Sequence, residues 1–395
     1  MKKIAVLLLV LFLIPFTSFG YTSSGKPYIK SGFISGIANL SDISNFGGIV
    51  IKNITVADMQ KAGFEIADMV SVNIANQNIE LPIVANFKGA VAGSMMLVMP
   101  ANPRRNVSLE GSYSDFAKAN KIAKPILEND GTITKWVPEK NVKFPLHITI
   151  TISKKQGYKD EYKNFDLVRT YKRSDYPNLN DKEFANFREI KTPKMASGRL
   201  FRSSSPIDTK LARNYYCDRF AKEAGVKTFF NLCNSAKAAR ELPAFARSYY
   251  ATQHVYYLPL NVDVTSEVFS NGMKEIAKAM LNKKTFPCLI HCVEGQDRTG
   301  FACAMFELFM GASYEAVEAD YVKTFMNYYK VKEGTDQYRS IAKNIYVNLD
   351  RAFKERIKDY EGFDKSKTQE LAKKYFKSLG LNEEQLNQIW DNLSK

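Results

Sequence analysis

The chain is poor in histidine, cysteine and tryptophan, with three, five and two of them among 395 residues. Three scattered histidines do not make a metal centre, and no His, Asp and Glu cluster has ligand spacing, so neither a metal nor another cofactor is expected. Helix-turn-helix and zinc-finger spacings are missing and the lysines are spread out, which argues against nucleic acid as a partner. The cysteines are Cys217, Cys233, Cys288, Cys292 and Cys303, all in the C-terminal half. Five is too few for a disulfide scaffold, and an odd number leaves at least one free thiol. Cys288 and Cys303 lie in apolar runs and read as packing residues; Cys217 and Cys233 could pair, which sequence leaves open. Beyond Phe16 no apolar run is long enough to span a bilayer.

What is present begins with a short targeting pattern. Lys2-Lys3 precede an apolar run from Ile4 to Phe16, and Thr17-Ser18-Phe19-Gly20 supplies small residues suited to cleavage. Residues 1–20 read as a secretory signal peptide, giving an exported chain with no stable membrane anchor. Formal net charge is +15, and removal of the two leader lysines leaves 54 basic against 41 acidic residues. Such a balance suits an acidic substrate through long-range steering. Oligomeric state is not legible.

The most informative stretch is Ile290-His291-Cys292-Val293-Glu294-Gly295-Gln296-Asp297-Arg298-Thr299-Gly300. Phe286 to Ile290 reads as a short apolar strand. Phe301 to Met310 is apolar apart from Glu307, the pattern of a helix buried all round. Cys292 thus ends a strand, and the loop Val293 to Arg298 leads into a helix N-terminus, where backbone N–H groups form an anion-binding cradle. The helix dipole, those N–H groups and Arg298 favour a thiolate. Arg298 can hold two oxygens of an oxyanion in a fork. Gly295 and Gly300 permit tight curvature and close packing.

Cys, five residues, Arg and Thr on a strand–loop–helix resembles the cysteine-dependent phosphatases, and the His-Cys-x-x-Gly-x-Asp-Arg-Thr-Gly loop resembles that of a bacterial tyrosine-phosphatase family. Phe184-Ala-Asn-Phe-Arg-Glu-Ile190 and Gly198-Arg-Leu-Phe-Arg-Ser-Ser-Ser-Pro206 are similar to the first segment of that family, and the likeness runs from about 184 to 395. Apolar strands at Gly225 to Leu232 and Val255 to Leu260, and helical patterns at Ser266 to Asn282, Tyr314 to Tyr329, Thr335 to Ile357, Lys367 to Ser378 and Asn382 to Leu393, predict an α/β domain. It has a mostly parallel sheet flanked by helices and a helical C-terminus.

Residues 21–155 read as a separate β-rich domain of unassigned role, with strands at Gly48 to Ile54, Met69 to Ile74, Leu81 to Phe87, Ser94 to Met99 and Leu146 to Ile152, and a short helix at Val56 to Phe64. Its stretch from Gly47 to Lys121 resembles the β-barrel half of bacterial S-adenosylmethionine hydrolase-like proteins, but without the partner domain no activity is implied. His147 reads as a half-buried strand residue. Residues 156–183 are a polar linker.

The resemblance implies phosphoryl transfer through a phosphocysteine on Cys292, with the loop N–H groups of Val293, Glu294, Gly295, Gln296, Asp297 and Arg298 on the phosphate. The Thr299 hydroxyl is placed to hydrogen-bond the Cys292 sulfur, and His291 shapes the loop. Two residues compete for the general acid. Asp297 stands in the loop, where this bacterial family is taken to carry its acid; Asp263 lies about thirty residues upstream, where other tyrosine phosphatases carry theirs. Asp297 is preferred. Gln296 stands where the family often has Lys, and Glu294 adds a negative charge, which together argue against polyanionic substrates. Arg202 reads as a brace for the loop or sheet. The leading expectation is an exported phosphatase for phosphotyrosine or similar phosphomonoesters. An inositol phosphate or phosphoinositide phosphatase is the alternative within the enzymes, and a catalytically silent phosphate-binding module the alternative outside them. A rhodanese-type sulfurtransferase would not require the Arg-Thr-Gly ending.

Overall fold

Alternation of apolar and polar residues with a period of two builds the first unit. The computed structural model describes residues 26–128 and 133–395, so the expected leader lies outside the described residues. Among the described residues ten strands precede residue 155: β1 Tyr28–Lys30, β2 Phe33–Ala38, β3 Ile49–Thr55, β4 Met69–Ile74, β5 Gln77–Val84, β6 Met95–Val98, β7 Asn106–Gly111, β8 Ala123–Leu127, β9 Ile133–Pro138 and β10 Leu146–Lys154. Eight of them form one sheet in the order β1-β2-β10-β4-β5-β6-β7-β3, antiparallel except for β5 with β6. The sheet curls until its two ends face each other: Asn53 Oδ1 on β3 accepts from Ile37 N on β2 at 2.9 Å. Ile51, Val70, Val72, Leu81, Val107, Ile148 and Ile150 fill the inside, all fully buried. Each such side chain contributes on the order of 1.5–3 kcal/mol of burial.

All five strands expected in this unit are present, and the helix expected from Val56 is Val56–Lys61. Strands β1, β2, β7 and the β8–β9 hairpin escaped the sequence reading, because they are short or interrupted by Lys, Glu, Pro and Gly. His147 is exposed on β10, not half-buried, since it falls on the outward phase of the strand beside buried Leu146 and Ile148.

The second unit has five strands: β11 Arg188–Glu189, β12 Leu200–Ser203, β13 Thr228–Asn231, β14 His254–Tyr257 and β15 Cys288–His291. Their order is β11-β12-β15-β13-β14, with only β11 antiparallel to its neighbour. Phe230, Leu200, Cys288 and Ile290 point into the core shared with the C-terminal helices. Phe229, Phe201 and Leu289, one residue out of phase, point into a core on the opposite face with Phe220 and Tyr250. That is the mostly parallel sheet covered on both faces, flanked by helices and followed by a helical C-terminus.

Helix ends follow their caps. Ser266, Ser313, Thr335 and Asn382 accept hydrogen bonds from backbone N–H groups three residues on, opening the helices Glu267–Ala279, Tyr314–Tyr329, Asp336–Arg356 and Glu383–Ser394. The helix after the Cys292 loop, Asp297–Phe309, is buried at every position from Thr299 onward. It starts four residues earlier than its apolar run, because Asp297 to Gly300 form its first turn.

The two units pack together. Ala92 N donates to Asn344 Oδ1 at 2.9 Å, and Arg351 Nη1 donates to Tyr113 O at 2.9 Å. These contacts bring the β5–β6 loop and the turn after β7 beside the Cys292 loop. No helix among the described residues is long and apolar enough to cross a membrane.

Candidate active site

Cys292 follows β15 directly and is 3 % exposed. The loop beyond it is set by where its carbonyls go. Leu232 N donates to His291 O, Ser205 N to Val293 O, and Gly300 N to Gln296 O, at 2.8–3.0 Å. Asn186 Nδ2 reaches Glu294 O at 3.2 Å and Gly295 O at 3.3 Å, Ser204 Oγ reaches Glu294 O at 3.2 Å, and Arg202 Nη2 reaches Gly295 O at 2.8 Å. With the carbonyls drawn outward into the scaffold, the amide N–H groups are turned to the inner side of the curve, the arrangement that binds an anion. Gly295 completes the turn with φ +65°.

Arg202 is the brace expected of it. Fully buried, it pairs with Asp320 as well as Gly295, while Arg188 pairs with Asp320 and donates to Asn186 Oδ1 at 2.6 Å. Burial opposes charge on Asp320, but Arg188 and Arg202 hold it ionised. Burial and the neighbouring Asp320 push buried Glu307 the other way, toward its neutral form. Asn186, in the left-handed region at φ +52°, gives the Asn-Phe-Arg segment its role: it ties two loop carbonyls to Thr324 Oγ1.

Arg298 is oriented by two backbone carbonyls outside the loop. Its Nη1 donates to Leu232 O and Leu260 O, both at 3.1 Å, which leaves Nε and Nη2 for an oxyanion. His291 is fully buried, its Nδ1 lies 3.2 Å from Cys292 O, and burial and Arg298 lower its pKa to about 4. A ring neutral at pH 7 shapes the loop without adding charge. The Thr299 hydroxyl differs from expectation: it is buried without a hydrogen-bond partner, so no bond to the Cys292 sulfur is made here.

The two candidate acids sit differently. Asp263 Oδ1 accepts from Thr265 N, from Thr265 Oγ1 at 2.9 Å and from Arg351 Nη2 at 3.1 Å, an ion-paired turn carboxylate. Asp297 accepts from Tyr113 Oη at 3.0 Å on Oδ1, and Lys88 Nζ lies 3.7 Å from Oδ2. Burial raises its pKa, Lys88 works against that, and Glu294 adds to the rise.

The loop's own charges are not the charges of the site, contrary to the sequence reading of Glu294 and Gln296. Lys88 Nζ stands 3.2 Å from Glu294 Oε2 and 3.4 Å from Gln296 Oε1, Arg169 pairs with Glu294 Oε1, and Tyr329 Oη donates to Glu294 Oε2 at 3.1 Å. Burial works against the Glu294 carboxylate, yet Lys88 and Arg169 bring its pKa down to about 2. Lys88, Tyr113 and Arg169 had no signal in the sequence, since they lie 125–209 residues from their partners. All five cysteines are free thiols, so Cys217 and Cys233 are not paired. Burial raises both, to about 12. No group of three His, Cys, Asp or Glu that could hold a metal occurs among the described residues.

No curated protein matches the chain. Among solved structures it is similar to an uncharacterized conserved protein from Thermotoga maritima, at 15% identity over 32% of this chain and 38% of that one, TM-score 0.24. It is also similar to the core catalytic domain of the PP-IP phosphatase SIW14 from S. cerevisiae, at 16% identity over 40% and 83%, TM-score 0.28. TpbA from P. aeruginosa shows 17% identity over 48% and 97%, TM-score 0.29. Likeness at these scores carries nothing over to this chain. Residues 234–395 match the sequence profile of the tyrosine phosphatase family, a span that begins later than residue 184 and lies wholly beyond the stretch resembling the hydrolase barrel. This C-terminal part of the chain, which contains Cys292 and Arg298, is thus similar to the tyrosine phosphatase family.

Proposed function

We propose that the chain is exported and hydrolyses phosphotyrosine or similar phosphomonoesters through a phosphocysteine on Cys292. One observation carries the reading: every loop carbonyl from His291 to Gln296 has a hydrogen-bonding partner or, for Cys292, a His291 nitrogen within 3.2 Å, so the loop presents N–H groups around the Cys292 sulfur. The sulfur attacks phosphorus as a P–S bond forms and the P–O bond to the leaving group breaks. Arg298 and the loop N–H groups stabilise the equatorial oxygens. Asp297 gives its proton to the leaving oxygen; its buried, raised carboxyl suits that task better than the ion-paired Asp263. Asp297 then takes a proton from the attacking water, the P–S bond breaks and inorganic phosphate leaves. Export rests on the pattern of residues 1–20.

The test is hydrolysis of p-nitrophenyl phosphate by the mature chain in chelator, beside Cys292→Ser and Asp297→Asn, with N-terminal sequencing of chain recovered outside the cytoplasm. Chelator-resistant turnover lost in Cys292→Ser is expected, with a mature N-terminus near Tyr21. Asp297→Asn should slow alkyl phosphates more than this activated aryl ester. A folded wild type without turnover under reducing conditions would leave only a phosphate-binding module, and an intact leader on exported chain would sink the cleavage reading.

A further inference from the structure

We propose that Lys88 and Tyr113, both from the N-terminal β domain, are positioning residues of the phosphatase site, gripping the two oxygens of Asp297 from outside the phosphatase domain. The proposal rests on Asp297 being the general acid.

The geometry divides the work by oxygen. Tyr113 is 1 % exposed and donates to Oδ1 at 3.0 Å, which leaves Oδ2 to carry the transferable proton. Lys88 lies 3.7 Å from Oδ2 and also touches Glu294 and Gln296, so one ammonium with three donors spans three loop side chains. Without it, the loop would set two carboxylates three residues apart at the mouth of a site meant for a phosphate dianion. The β domain is itself held in place: Arg351 Nη1 donates to Tyr113 O, and Asn344 anchors Ala92 on the loop that carries Lys88. Phe87, at the tip of that loop, packs edge-on against Tyr113 with ring centres 6.0 Å apart.

Asp297 faces Lys88 and Tyr113 from the β domain, Glu294 and Arg298 from the loop, and Tyr321 and Tyr329 from the Tyr314–Tyr329 helix. Lys88 and Tyr113 favour the ionised carboxylate, whereas burial and Glu294 favour the protonated acid. Removing either β-domain group therefore lets Asp297 hold its proton to higher pH. A residue that only supported folding would lower turnover without moving that limit.

The experiment is the pH dependence of kcat on an aryl and an alkyl phosphate for the full mature chain, with Lys88→Met, Lys88→Arg, Tyr113→Phe and Asp297→Asn. In Lys88→Met the alkaline limb should move up by about one pH unit, with turnover of the alkyl ester falling more than that of the aryl ester. Tyr113→Phe should move the limb the same way by less, and Lys88→Arg should restore it. Tyr113→Phe loses a single oxygen and carries the test if Lys88→Met fails to fold. Limbs unmoved in both variants, beside an Asp297→Asn enzyme that has lost its alkaline limb, would overturn the positioning role and leave the acid assignment standing. An Asp297→Asn enzyme with an unaltered profile would remove the acid assignment, and this proposal with it.

Discussion

Replacing Gly295 with alanine tests the loop geometry at its tightest point. A Cβ there would lie 2.1 Å from Ser203 O, 2.5 Å from Ser203 C and 3.0 Å from Ser204 N. Comfortable non-bonded contacts of a methyl carbon lie at about 3.5–4.0 Å, so the overlap exceeds an ångström, and it is with backbone. That backbone is the end of β12, hydrogen-bonded in register to β15 through Ser203 and His291, and cannot swing aside as a side chain would. The loop must move instead. The φ of +65° adds about 1 kcal/mol for any residue with a Cβ, and the overlap about 1–3 kcal/mol more. A loss of about 2–4 kcal/mol is within what a domain with a total of about 5–15 kcal/mol tolerates, so the variant should fold with a lowered melting temperature. Displacing the Cys292 cradle by about an ångström should cost about 10²-fold in kcat/KM. Steady-state hydrolysis of p-nitrophenyl phosphate beside thermal unfolding reads both. Gly295→Ala with wild-type kcat/KM would refute the reasoning, because it would mean that the loop need not pass Ser203 at this distance.

Two further outcomes follow from the charges around the loop. Glu294 has a folded pKa of about 2 against an ordinary 4.5, so its contribution is present above pH 4.5 and is lost as pH falls toward 2. At about 1.4 kcal/mol per pH unit this amounts to roughly 3 kcal/mol. Urea unfolding of Glu294→Gln should lose that part of the pH dependence; an unchanged acid limb would show that Lys88 and Arg169 do not hold the carboxylate. Asp263→Asn should keep the alkaline limb of kcat in place while lowering the melting temperature, through loss of its pairing with Arg351; a vanished limb would return the acid role to Asp263.

The catalytic loop was legible because its signal is local. Cys292, Gly295, Arg298 and Thr299 fall within eight residues, and the burial of Phe301 to Phe309 is written in their apolarity. The parallel sheet followed from apolar strands spaced by helical patterns, and Ser313 and Thr335 marked their helix starts by cap chemistry that any sequence displays. Strands β8 and β9 were not legible, since Lys124, Pro125 and Lys135 break the alternation and only their pairing makes them strands. The tie of Asn186 to Glu294 O and Gly295 O was out of reach for another reason: a side-chain amide can serve a carbonyl 108 residues away and no pattern announces it.

The electrostatic reading of the site fails on the same ground, and the failure has a direction. Taken alone, the loop carries Glu294 and Asp297 against Arg298, and Gln296 contributes no charge, which points away from a strongly anionic substrate. In the fold, Glu294 is matched by two cations, Lys88 at 3.2 Å and Arg169 on its other oxygen, and neither lies within residues 234–395. Between side chains as buried as these, such pairs decide the local potential far more than the loop's formal charge does. A lysine from outside the loop, Lys88, reaches in beside it and lies 3.4 Å from Gln296 Oε1. The argument against polyanionic substrates therefore loses its premise. The charge balance of the Cys292 site belongs to both units of the chain, and substrate preference has to be measured with the β domain attached.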